Sequence, residues 1–170
     1  MSFFDFFKTN QNNSPQLGKL HEKIVHKFPE IEEVEQTKLA CISGLLARVA
    51  HSDFNVHPDE IEEIKKSLSL FNFLTESQIE FVTNVAIDMI IELSGLENHM
   101  YCHPLVEIMK PNERFEVLRM CFAIAASDNS VEESECEEIR QITSSLCLEH
   151  KDFIAAKIEV ASKLKALKKD

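Results

Sequence analysis

A chain of 170 residues is long enough to enclose one substantial core and short for two. With 29 acids against 18 Lys and Arg its net charge is −11, which opposes binding to a phosphate backbone, excludes nucleic acid as a partner, and favours cations and basic proteins. Three Gly and five Pro leave few hairpin turns, and no alternating Val/Ile/Thr run reads as a strand, so the expected class is all-α.

The N-terminus packs Phe3, Phe4, Phe6 and Phe7 into one short segment, followed by a polar linker ending at Ser14 and Pro15. Residues 1–14 read as a detachable arm ahead of a helical domain over 15–170. Its rings either fill a groove on that domain or form a foot for a partner protein or a membrane surface. Helical spacing starts at Leu17, Leu20, Ile24 and Phe28, and Pro29 stops it. A second helix is expected over 32–52, where the broad stripe Leu39, Ile42, Leu45, Leu46 and Val49 marks a central element. A third runs over 58–71, opened by Pro58 with Asp59 and Glu60 at the positive end of its dipole. Thr75 and Gln78 form a capping box for a fourth helix ending near Gly95. Residues 98–110 read as a joint. Pro111 then opens a helix to Ser127, a partner helix covers 132–146, and a last one from Glu149 ends in a lysine-rich tail that suits a helix C-terminus. The count is about seven helices in a single bundle.

Residues 49–64 and 124–139 align without a gap at a constant offset of 75, and half of the columns are identical. A fixed offset marks a duplicated supersecondary unit, with halves over about 32–95 and 111–165. In each copy a helix ends at Ser-Asp (Ser52-Asp53, Ser127-Asp128), a loop buries a valine (Val56, Val131), and a second helix opens with acids. Glu60 and Glu135 take its third position; Glu63 and Glu138 lie one turn further along the same side. One reading of these acids is capping: Asp accepts from loop amides, and Glu caps the helix and complements its dipole. The other is a site for a hard divalent cation, Ca²⁺ or Mg²⁺, held by Asp128, Glu132, Glu135 and Glu138, with a copy at Asp53, Asp59, Glu60 and Glu63. An EF-hand is excluded. Counting from Asp128 puts Glu133 where the turn glycine belongs and Ile139 where the bidentate acid belongs.

The pattern resembles the tellurite-resistance protein B (TerB) family, in which a helix ends in a small-residue-Asp-Gly turn, followed by a hydrophobic residue and a helix opening with Glu. Ala50, Ser52, Asp53, Val56 and Glu60 match it in the first half, and Ala126, Ser127, Asp128, Val131 and Glu135 in the second. The same domain occurs in the N-terminal region of a membrane-anchored DnaJ-like co-chaperone. The resemblance implies a compact helical bundle with an acidic face, linked to chemical-stress and metal-related responses and acting through other proteins rather than as a known enzyme. Phe54 and Asn129 replace the family's turn glycine. Asn tolerates a left-handed backbone and Phe does not, which makes the second loop the better candidate.

Other motifs weigh less. His57-Pro58-Asp59 spells the J-domain tripeptide, but only Arg48 supplies a positive charge on the preceding helix, and a helix start explains it. His99, Cys102 and His103 lack the spacing of a zinc site. There is no nucleophile elbow and no Gly-rich phosphate loop, so no enzyme is expected. Five cysteines, odd in number and without a C-x-x-C pair, read as reduced thiols, and the chain lacks a signal peptide or an uncharged span, so it is expected in the cytoplasm. The expected function is a non-enzymatic module engaging a metal cation or a basic protein through its acidic face. The alternative is a structural adaptor that binds protein or membrane through the arm and apolar grooves, with the acids only capping.

Overall fold

A computed structural model describes residues 15–52, 55–128 and 131–167, with side chains described from 16 to 163 within those spans. The Phe-rich arm, Asp53, Phe54 and Asn129 lie outside the described residues. The rest is helical, with no strand among the described residues: α1 (Pro15–Lys27), α2 (Glu33–Ala50), α3 (Pro58–Leu68), α4 (Glu76–Asp88), α5 (Ile90–Ser94), α6 (Asn98–Ile108), α7 (Pro111–Ala125), α8 (Glu133–Ser145) and α9 (His150–Leu167).

α2 is the centre of the bundle. Leu39, Ile42, Leu45, Leu46 and Val49 are completely buried, and the helix packs on α1, α3, α4, α5, α6, α7 and α8. An element covered on all sides must be apolar on all sides, which is why its stripe is broad. The duplication is visible in the packing. α3 sits on α2 as α8 sits on α7; α4 and α5 cover α2 as α9 covers α7; and the units cross through α3 on α7 and α8 on α2.

Two expectations need correction. The fourth helix is interrupted at Met89 (φ −94°, ψ 5°), dividing it into α4 and α5. The interruption brings Ile90 against Ala47 and Ala86 while Leu93 enters the main core. The stretch over 98–110 is no mere joint: it holds α6, whose Tyr101, Cys102, Pro104 and Leu105 are buried. Pro104 removes one backbone donor from the interior of α6, at a cost of about 3 kcal/mol, and the buried neighbours offset it. Gly44 makes room for this packing, because a Cβ there would lie 2.7 Å from Cε1 of Tyr101. The Tyr101 hydroxyl donates to the Leu93 carbonyl at 2.6 Å, so α6 is fixed to both α2 and α5.

Cys41, Cys102 and Cys121 are buried, Cys136 is half-buried and Cys147 is exposed; all five are free thiols. Burial pushes the Cys102 thiol up to about 12, and raises Cys41 and Cys121 further, so these three stay protonated.

Candidate functional site

The helix ends that lead into the two Ser-Asp loops are built alike down to single hydrogen bonds. The residue capping α2, His51, has φ −98° and ψ 6°; the residue capping α7, Ala126, has φ −94° and ψ 0°. The Ser52 amide donates to the Val49 carbonyl at 3.1 Å, and the Ser127 amide to the Ile124 carbonyl at 3.0 Å. Beyond the loop, Val56 and Val131 pack half-buried on the core, and Ile64 and Ile139 are fully buried in it.

Glu60 and Glu135 have the role that capping requires. The His57 amide donates to Glu60 Oε2 and the Glu132 amide to Glu135 Oε2, each at 2.7 Å. Each carboxylate thereby satisfies an amide at a helix start and complements the dipole, and each is almost fully buried. The same reach-back recurs at Glu113 on the Lys110 amide (2.7 Å) and at Asp152 on the Glu149 amide (2.8 Å), which makes it a general device of this fold.

The other candidate acids separate. Glu138 is held by Arg48, whose Nε donates to it from across the bundle, while Nη1 donates to the carbonyls of Leu96 and, at 2.7 Å, Ser94. Glu63 is half-buried and paired with Lys66 of its own helix at 3.1 Å. Asp59, Asp128 and Glu132 are exposed, as are Glu133 and Glu137 beside them. Among the described residues no three His, Cys, Asp or Glu side chains gather in a way that holds a metal ion. His99 and His103 are exposed whereas Cys102 between them is buried, so that trio does not converge. The tripeptide at His57 is a helix start, with Pro58 in the first turn of α3.

Two hydroxyls stand out. Ser52 Oγ and Ser127 Oγ, at equivalent positions in the two loops, are both buried without a hydrogen-bond partner. A buried hydroxyl without a partner is costly, and the same cost appears twice.

Sequence reasoning missed the importance of two arginines. Arg48 ties the C-terminal end of α2 to α8 and to the turn between α5 and α6, and buried Arg114 donates to the Leu146 carbonyl at the end of α8. The available signal was a lone cation within an apolar helical stripe, a position seldom filled unless the charge has a partner.

These features define an all-helical module made by duplication of a helix-loop-helix unit, with acids at the start of each second helix. Residues 38–158 match the family model described as tellurite resistance protein TerB. The chain belongs to the TerB family. No curated protein and no solved structure matches it at a significant level.

Proposed function

We propose that this chain is a non-enzymatic tellurite-resistance-type module of the cytoplasm that engages a basic protein through the acidic rim of its second unit. The observation that carries this reading is how the acids divide. Glu135 and Glu138 are directed inward, to a backbone amide and to Arg48, whereas Asp128, Glu132, Glu133 and Glu137 remain at the surface. Carboxylates spread over a rim match a spread of Lys and Arg better than one small ion, which needs six to eight oxygens within about 2.6 Å. The net charge of −11 extends the same preference over a longer range. Five free thiols support a cytoplasmic location, and no described helix is long and apolar enough to cross a membrane.

A second reading, Ca²⁺ or Mg²⁺ bound in the loops, draws on the unpartnered Ser52 and Ser127 hydroxyls. Thermal melts of the full chain over a Ca²⁺ and Mg²⁺ series separate the two readings, since a bound cation adds stability that grows with the logarithm of its concentration. The basic-partner reading predicts a melting temperature indifferent to both ions. A rise with either ion that Asp128→Ala removes would replace it with the cation reading.

A further inference from the structure

Charge is unevenly spread along this chain. Residues 1–27 carry Lys8, Lys19, Lys23 and Lys27 against Asp5 and Glu22, a balance of +2, which leaves −13 for the remaining 143. A basic start on so acidic a chain points to a segment with a binding role of its own. Lys19, Lys23 and Lys27 recur every four residues along α1, so they share its exposed side, while Leu17, Leu20 and Ile24 fill the core from the other.

This basic face is little neutralised from within. Lys19 meets Glu92 of α5 at 3.7 Å, but the two side chains are 61% and 54% exposed, and so open a pair contributes little. Lys27 lies 5.7 Å from the centre of the Phe81 ring of α4. Lys23 has no ion pair among the described residues. Between α1 and α4 runs a groove of about 470 Å³, with the three lysines, His26 and the single acid Glu22 along it and half-buried Phe81 and Val85 as its floor.

The segment that leads into α1 supplies, in sequence, a second kind of contact. Phe3, Phe4, Phe6 and Phe7 are large apolar groups, and Lys8 lies at most about 25 Å along the chain from Pro15, across the uncharged run Thr9 to Ser14. The rings are therefore tethered within reach of whatever the lysines touch. Stable peripheral attachment to a bilayer takes two signals, apolar insertion and basic attraction, and here they are neighbours. We infer that the α1–α4 face docks on an anionic phospholipid surface, with the four phenylalanines as its apolar anchor. An acidic protein would satisfy the lysines but would give the rings beside them no role. The surface that attracts α1 repels the acidic remainder, which orients the molecule: α1 packs on α2, α4 and α5, whereas α8, which carries much of the acidic rim, packs on α2, α6, α7 and α9. Docking at α1 thus leaves the rim accessible, and it holds whether or not a basic protein binds there.

The test is co-sedimentation of the full chain with vesicles of phosphatidylcholine alone and of phosphatidylcholine with phosphatidylserine. The chain should sediment with the anionic vesicles only, and less so as salt rises from about 50 to about 300 mM. A lysine near an anionic surface is worth about fivefold in partitioning, so the triple variant Lys19→Gln, Lys23→Gln, Lys27→Gln should bind on the order of 100-fold more weakly. Its fold is checked by circular dichroism. Phe4→Ala with Phe7→Ala should weaken binding at least about tenfold and leave the melting temperature unchanged. Anionic vesicles that leave the chain in solution, equal binding to phosphatidylcholine alone, or a triple variant that sediments like wild type would each overturn the inference. A phenylalanine variant that binds normally but melts earlier would overturn it too, since the rings would then belong to the core. If a glutamate-rich peptide binds at Lys23 while the vesicles do not, the face belongs to an acidic protein and the membrane inference fails. Binding of a lysine-rich peptide at Asp128 and Glu132 is read separately, so failure here and failure of the rim reading are distinguishable.

Discussion

The two units end their first helices with hydrogen bonds alike to within about a tenth of an ångström, yet they differ at the position where each first helix meets the opposite half: Arg48 in one, Ala123 in the other. The difference teaches which parts of a duplicated scaffold remain alike. Helix ends and N-terminal carboxylates are fixed by local backbone chemistry, which both copies must satisfy. Contacts between copies are free to diverge, so α2 became the pinned centre while α7 kept an open flank. Gly44 shows the same divergence: it lies under Tyr101, and its equivalent is the surface residue Arg119, 40% exposed at its side chain.

The largest effect should come from Arg48→Ala. The change leaves Glu138 half-buried without its guanidinium and withdraws a donor from the Ser94 and Leu96 carbonyls, for a loss of about 2–4 kcal/mol by urea denaturation. Adding Glu138→Gln should recover part of that loss. If the pair of changes costs as much as the sum of each alone, the cross-unit ion pair is not the cause.

Gly44→Ala should follow at about 1–3 kcal/mol, because the added methyl meets the Tyr101 ring at 2.7 Å and α6 must shift away from α2. Arg119→Ala, at the equivalent position, should cost under about 1 kcal/mol. Equal costs would mean that the two first helices are not packed as differently as described.

Where the copies agree, mutations should agree too. Glu60→Ala and Glu135→Ala each leave a helix-start amide without its acceptor and should each cost about 1–2 kcal/mol. A large inequality between them would show that the loops, rather than the caps, dominate one site.

The smallest effect is the dependence on pH through His21 of α1. Burial holds its imidazole below the ordinary value, with Glu33 opposing in part. The unfolded chain therefore takes up a proton near pH ~6.5 that the fold resists. His21 thus favours the folded state fully above that pH, and the advantage is lost as pH falls through it. Thermal melts between pH 7.5 and pH 5.5 should show a smaller decline for His21→Leu than for wild type.

Local chemistry was legible in the sequence, and contacts distant along the chain were not. The starts of α3 and α7 at Pro58 and Pro111, the reach-back of Glu60 and Glu135, and the repeat itself follow from residue type and spacing. α6 was hidden because Pro104 reads as a breaker and its buried face is too short to show a period. The turn at Met89 carries no Gly or Pro to announce it. For the candidate site, the acids were found but their division into inward and outward groups was not. The partner of Glu138 lies 90 residues away, and only tertiary packing reveals that it is engaged.

The proposed surface for a basic protein is the acidic rim of the second unit. Isothermal titration of the full chain with a lysine-rich peptide, at 50 and 300 mM salt, tests it most directly. Binding should weaken steeply with salt, as screening of exposed charges requires, and should be lost in an Asp128→Asn, Glu132→Gln double variant checked by circular dichroism to keep the wild-type fold. Binding that ignores salt, persists in that variant or never occurs would contradict it.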